Sequence, residues 1–188
     1  MLHSLIRWTC VLPLLGVFGL AGTAAGQEVV THTVDASGDW VLIDFDTGPI
    51  QVDDPVNSLE WDLGILSTTI AVNGGDGGPG EVTAHCICQN QSLGNDVVQT
   101  LTLESESPDF DAVGSDQIPQ DESAWSTTAF DDSPWYRYNL MGEHRIWPTF
   151  DVYLVKKGDE VYKVQLTNFY GPGDEPRHLT LRYAKIAG

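Results

Sequence analysis

The sequence predicts an all-β fold, a single domain of antiparallel sheets and hairpins with little helix. Three observations carry that reading. Gly and Pro are abundant, with 19 and 10 in 188 residues, no window holds a long apolar stripe at helical spacing, and short runs alternate apolar with polar residues.

The first 26 residues carry Arg7, then an apolar run from Trp8 to Leu20 and the small residues of 21–26. That order is a secretory signal peptide, with cleavage near Ala25 or Gly26. The apolar run has roughly 13 residues where about 20 are needed to span a bilayer, so the reading is export without a membrane span. Cys10 sits inside the run and no Cys stands where a lipid-modified terminus requires one, which predicts a soluble product in the periplasm, at the cell surface or secreted. Residues 27–188 are then one domain. Removing 26 of 188 residues leaves 162, and losing Arg7 leaves 8 basic residues against 27 acidic ones, a net charge of −19. Such a field excludes nucleic acid and anionic lipid as partners.

Within the domain, Trp40 to Phe45 reads as a buried strand closed by the turn residues Asp46 to Pro49. Trp61 beside Asp62 suggests an aromatic core anchor next to a turn-capping carboxylate, and Asn73-Gly74 suggests a tight turn with positive φ. Val97, Leu101 and Leu103 share one face of a period-two pattern, predicting a half-buried strand. Residues 104–134, rich in Asp, Glu, Ser and Pro, read as a long surface loop. The clearest element is Asp151 to Leu166, two β-rich runs joined at Gly158-Asp159, a hairpin whose Tyr162, Val164 and Leu166 face inward and whose Lys163 and Gln165 face water. Leu179, Leu181 and Tyr183 alternate with Thr180, Arg182 and Ala184 as a further half-buried strand.

His85, Cys86 and Cys88 gather three soft donors. On a strand, however, the cysteines point to one face and His85 to the other, so the three do not converge on a metal without a bulge. A Cys86–Cys88 bridge spans one residue and cannot staple distant segments, so the pair reads as buried or oxidised. Asp109 to Gly114 has the spacing of a calcium loop at its first, third and sixth positions. Val113 and Gln120 break that pattern, leaving a solvated acidic loop. No Gly-x-Ser-x-Gly elbow, His-Glu-x-x-His or phosphate loop is present, and the acids Asp44, Asp46, Asp53 and Asp54 suit turns and edges. The chain therefore reads as a non-enzyme.

Three segments in order resemble the HmuY family of exported haem-binding proteins. They are 59–65 followed by 70–81, with Trp61-Asp62 before Asn73-Gly74-Gly75; 135–144 leading to Trp147-Pro148; and the 151–166 hairpin followed by Phe169-Tyr170 and 179–183. The likeness covers roughly residues 40–185. It implies an all-β fold, export, a part in iron acquisition and capture of haem between hairpin fingers, with an outer-membrane receptor as the candidate protein partner.

Haem needs an apolar slot and His, Met or Cys donors to its iron. In the segment matching the family's ligand-bearing region, His144 is the first candidate ligand and Met141 the second, flanked by Tyr138 and Trp147. The ligand that the resemblance implies is haem or a similarly flat, small apolar molecule. Relatives take a second axial ligand from the preceding long loop, whereas residues 104–134 hold neither His nor Met. Two other classes compete with haem capture: an interaction domain that has kept the fold without the ligand, and a carbohydrate-binding β module, which would align exposed Trp side chains on one face.

Overall fold

A computed structural model describes residues 27–188, so the signal-peptide reading of residues 1–26 lies outside the described residues. In chain order the elements are β1 (Val30–Asp35), β2 (Val41–Asp44), β3 (Gly48–Ile50), β4 (Leu63–Leu66), β5 (Thr69–Val72), β6 (Thr83–Cys86), α1 (Asn95–Val98), α2 (Leu103–Ala112) and α3 (Ala129–Asp132). There follow β7 (Tyr136–Tyr138), β8 (Ile146–Pro148), β9 (Val152–Lys157), β10 (Glu160–Tyr170) and β11 (Pro176–Ala187). All pairings are antiparallel. A five-stranded sheet runs β1-β11-β10-β9-β6, a four-stranded sheet runs β3-β2-β4-β5, and β7 with β8 forms a separate two-stranded ribbon.

The two larger sheets share one core. Ile43, Phe45, Leu63, Ile65, Ile70 and Val72 from the small sheet meet Tyr153, Val155, Tyr162, Val164, Leu166, Leu179, Leu181 and Tyr183 from the large one. Period-two patterning selects these faces, because alternate residues of a strand point to opposite sides. The 151–166 hairpin forms as predicted, with Gly158 at φ +59 in the turn. Trp61 and Asp62 are both buried. Asp62 Oδ2 accepts from the Phe45 N–H at 2.9 Å and from the Lys157 ammonium at 3.1 Å. Burial pushes the Asp62 carboxyl upward, opposed by these donors.

The second face of the large sheet departs from the sequence reading. Lys163 and Gln165 do not face water; they are 2% and 0% exposed. Arg182 and Ala184 on β11 are buried as well, so that strand is covered on both faces. The cover is α2 and the chain after it, within the stretch read as a surface loop. Phe110 and Val113 pack there against Val152, Leu154, Val161, Ala184 and Ile186.

Helix α2 has local causes that apolar periodicity does not record. Thr102 Oγ1 accepts from the Ser105 N–H while Ser105 Oγ accepts from the Thr102 N–H, a reciprocal cap. Glu104 and Glu106 place negative charge in the first turn. At the other end the Lys163 ammonium donates to the carbonyls of Phe110 and Val113 at 2.9 Å each and of Asp111 at 3.4 Å. A cation thus satisfies carbonyls that end a helix without intrahelical partners. Its Nζ lies 4.6 Å from the Phe110 ring centre, and the Arg182 guanidinium 4.2 Å. Burial pushes the Lys163 ammonium below its ordinary range.

Two further predictions are corrected. The strand over 97–103 is replaced by α1 and the start of α2, with Val98 buried and Val97 and Leu103 exposed. The reason is the Thr102 cap, which turns the chain just where the alternation suggested extension. At Asn73-Gly74 the positive φ belongs instead to Gly75. Asn73 is buried and donates to the carbonyls of Ser58 and Trp61, while its Oδ1 accepts from Gly80. Gly74 is needed for close approach, since a Cβ there would lie 2.2 Å from the Val82 carbonyl oxygen.

Replacing Lys163 tests the buried cap. Lys163→Ala leaves three carbonyls without their donor and removes the stem that packs beneath α2, so urea unfolding is predicted to show a loss of about 3 kcal/mol. Lys163→Met keeps the stem and should lose less. Equal stability of Lys163→Ala and the parent would contradict this role.

Candidate functional site

The sequence-predicted site residues fall on the β7–β8 ribbon, a finger whose tip spans residues 139–145. Tyr138 pairs with Ile146, Arg137 with Trp147 and Tyr136 with Pro148. Opposed residues share a face and successive ones alternate. Tyr138 and Trp147 therefore stand on opposite faces of the finger. Tyr138 and Met141 are 56% and 57% exposed, and His144 is exposed too. Trp147 is half-buried, and its Nε1 is buried with no hydrogen-bond partner among the described residues.

Tyr138 and His144 are brought together. The phenol oxygen lies 2.7 Å from His144 Nδ1, and the ring centres are 6.0 Å apart. The tip holds His144 in this place by its backbone. Asn139 at φ +60, Gly142 at φ +77 and His144 at φ +56 are all left-handed. The Asn139 N–H donates to the Arg145 carbonyl at 2.7 Å, and Asn139 Oδ1 accepts from the His144 N–H at 2.8 Å. Asn tolerates the left-handed region because its short polar side chain bonds locally. His144 Nε2 has no hydrogen-bond partner among the described residues.

Residues that sequence reasoning did not select brace the finger. On one side the Arg145 guanidinium grips Asp174 through two contacts, 2.5 and 2.9 Å, and stacks 4.2 Å above the Tyr170 ring. Each partner shifts the other: Asp174 raises the guanidinium, which holds the Asp174 carboxyl below its ordinary value. Tyr170 Oη accepts from the Ile146 N–H at 2.9 Å. On the other side Arg137 donates to Asn95 Oδ1 at 2.7 Å and to the Gln91 carbonyl at 2.8 Å. At the base, buried Trp135 donates from Nε1 to the Thr68 carbonyl at 3.0 Å. Trp135-Tyr136 was part of the recognised segment, but nothing in one sequence pairs Arg145 with Asp174, 29 residues away.

The remaining candidates resolve without a metal centre. Cys86 and Cys88 form a disulfide, and His85 Nδ1 lies 3.0 Å from the Ala124 carbonyl oxygen. The thiols are thereby unavailable as thiolate ligands. Asp109 to Ala112 is helical rather than a calcium loop. No group of three His, Cys, Asp or Glu side chains is placed to hold a metal ion among the described residues, and none of their helices is long and apolar enough to cross a membrane. Trp40 alone among the described tryptophans is exposed, so the aligned Trp row that a carbohydrate surface needs does not form.

The chain is thus an all-β scaffold carrying a braced finger with an exposed His at its tip. A family model described as HmuY protein matches residues 36–183, and the chain belongs to that family. A solved structure agrees in fold. A candidate HmuY-like haem-binding protein from Bacteroides vulgatus ATCC 8482 is 17% identical with a TM-score of 0.50, the match covering 86% of this chain and 94% of that one. The apo HmuY analogue of Tannerella forsythia is 14% identical with a TM-score of 0.49, covering 87% and 99%. Apo PinO from Porphyromonas gingivitis is 10% identical with a TM-score of 0.47, covering 85% and 96%. A search of the curated proteins found no match.

Buried Asp151, next to the finger's base, accepts from the Asn90 N–H at 2.8 Å and Gln91 Nε2 at 2.7 Å. Burial nevertheless raises its carboxyl above the ordinary 3.8. A raised carboxyl takes up protons more readily folded than unfolded. The parent should therefore gain stability relative to Asp151→Asn as pH falls through the Asp151 titration, levelling near pH 3.8. Urea unfolding of both proteins across that range checks the sign; a parent that loses ground on acidification contradicts it.

Proposed function

We propose that this chain is an exported HmuY-like carrier that captures haem, or a similarly flat apolar ligand, without covalent chemistry. One observation carries the reading: His144 stands exposed at the finger tip with Nδ1 held by Tyr138 and Nε2 without a partner among the described residues. If Nδ1 carries the proton and donates to the phenol oxygen, Nε2 keeps the lone pair that a metal ligand needs. Haem brings the iron and a broad apolar face. His144 is the first donor to that iron and Met141, exposed on the same tip, the second. Tyr138 orients the imidazole and offers its own exposed ring, while Trp147 backs the finger from the opposite face. Family membership supports haem as the ligand class, export to the periplasm, cell surface or medium, and an outer-membrane receptor as the next partner.

A second reading, an interaction domain that has lost the ligand, is favoured by three observations. Residues 104–134 supply no His or Met, and α2 within them is packed on the large sheet. Arg145, the cation beside His144, is already committed to Asp174, so anionic propionates gain little from it.

A haem titration of the purified protein followed at the Soret band separates the two. The carrier reading predicts a saturable, shifted band that His144→Ala abolishes, Met141→Ala weakens, and Tyr138→Phe weakens by about tenfold, the usual cost of losing a group that orients a ligand. No saturable shift at micromolar haem leaves the interaction-domain reading.

A further inference from the structure

The outer side of the small sheet carries two connected clefts that share no residue with the finger. One, about 300 Å³, lies among Trp40, Leu42, Val56 and Trp61. The other, about 410 Å³, runs on towards Thr127 and Asp131. Trp40 and Asp76 line both, so an indole and a carboxylate stand where the apolar half meets the polar half.

The apolar half is built into the sheet. Gly64 on β4 lies against the two indoles that line it: a Cβ there would lie 3.1 Å from the Trp40 ring and 3.3 Å from that of Trp61. Glycine thus lets both indoles settle on the strand. Trp61 is buried and oriented by its Nε1–H, which donates to the Pro55 carbonyl at 2.9 Å. Trp40 remains 43% exposed.

Charge selects the occupant. No Lys, Arg or His lines either cleft, whereas Asp76 and Asp131 do. The loop that supplies Pro55 and Val56 also carries Asp53, Asp54 and Glu60 around an adjoining hollow. An anionic ligand is repelled here, and a neutral one gains from the carboxylates only the hydrogen bonds its own donors can make. A cation on an apolar body gains both the face of an indole and the field of the acids.

We propose that this cleft binds a small organic ammonium ion, its apolar body between Trp40, Leu42 and Val56 and its positive head between the Trp40 ring and Asp76. The test is titration of the purified protein with benzyltrimethylammonium, followed by tryptophan fluorescence and calorimetry, with benzyl alcohol and N-acetylglucosamine as neutral comparators. Saturable binding of the cation is expected, weakened by added salt, with little or none for either comparator. Trp40→Ala should weaken it by about tenfold, Trp40→Phe by less, since Trp is the strongest of the aromatic partners for a cation. Asp76→Asn, at an exposed loop position, should weaken it without altering thermal unfolding. Benzyl alcohol bound as tightly as the cation would overturn the proposal in favour of a plain apolar slot. Preference for N-acetylglucosamine, or no saturable binding of the cation, overturns it too. Haem binding and His144 substitution have no bearing on this result, because the two sites are separate.

Discussion

A buried polar seam over the outer face of the large sheet is the constraint on which the rest of the molecule depends. It begins with the Lys163 ammonium under the end of α2. Arg182 continues it, donating to Gln165 Oε1 and Ser107 Oγ at 2.9 and 3.0 Å. Glu106 accepts from Asn90 Nδ2 at 2.9 Å, and the same amide donates to the Thr149 carbonyl. Asp151 and Gln91 carry it on to Arg137, which is on the finger. Removing one member leaves its partners buried and unpaired, which costs more than the net worth of the bond itself. Such a seam ties the helix, the sheet and the finger into one register.

That coupling gives the finger its rigidity. A two-stranded ribbon is marginal alone in water, and β7–β8 has only three residues per strand. Arg137 docks one side on the seam, Arg145 and Tyr170 hold the other, and Trp135 roots the base in the shared core. Rigid support places His144 with a defined ring orientation, which lowers the ordering cost of any ligand it takes.

The sheet core was legible in the sequence because its signal is local. The apolar run from Val41 to Phe45, the Gly158 turn, and the alternating Leu179, Leu181 and Tyr183 are local signals of this kind, although Trp40, read as part of the buried strand, is 43% exposed. The covered second face was not. Lys163, Gln165 and Arg182 alternate with apolar residues and so read as solvated, and only their long-range partners reveal otherwise. Helix α2 escaped for the same reason: its buried residues are Glu106 and Phe110, too few and too mixed to make a stripe. Of the site, the segment and its His144–Tyr138 proximity were within reach. The opposite facing of Trp147 needed the pairing register, and the Arg145–Asp174 brace needed the fold.

The finger is proposed to present an imidazole already set as a ligand. Nitrogen NMR of His144 at neutral pH, before and after adding diamagnetic gallium protoporphyrin, is the decisive measurement. A proton on Nδ1, an unprotonated Nε2, and a large shift of Nε2 on adding the porphyrin are expected. A proton on Nε2 in the free protein, or an Nε2 resonance that the porphyrin leaves unmoved, would contradict the proposal.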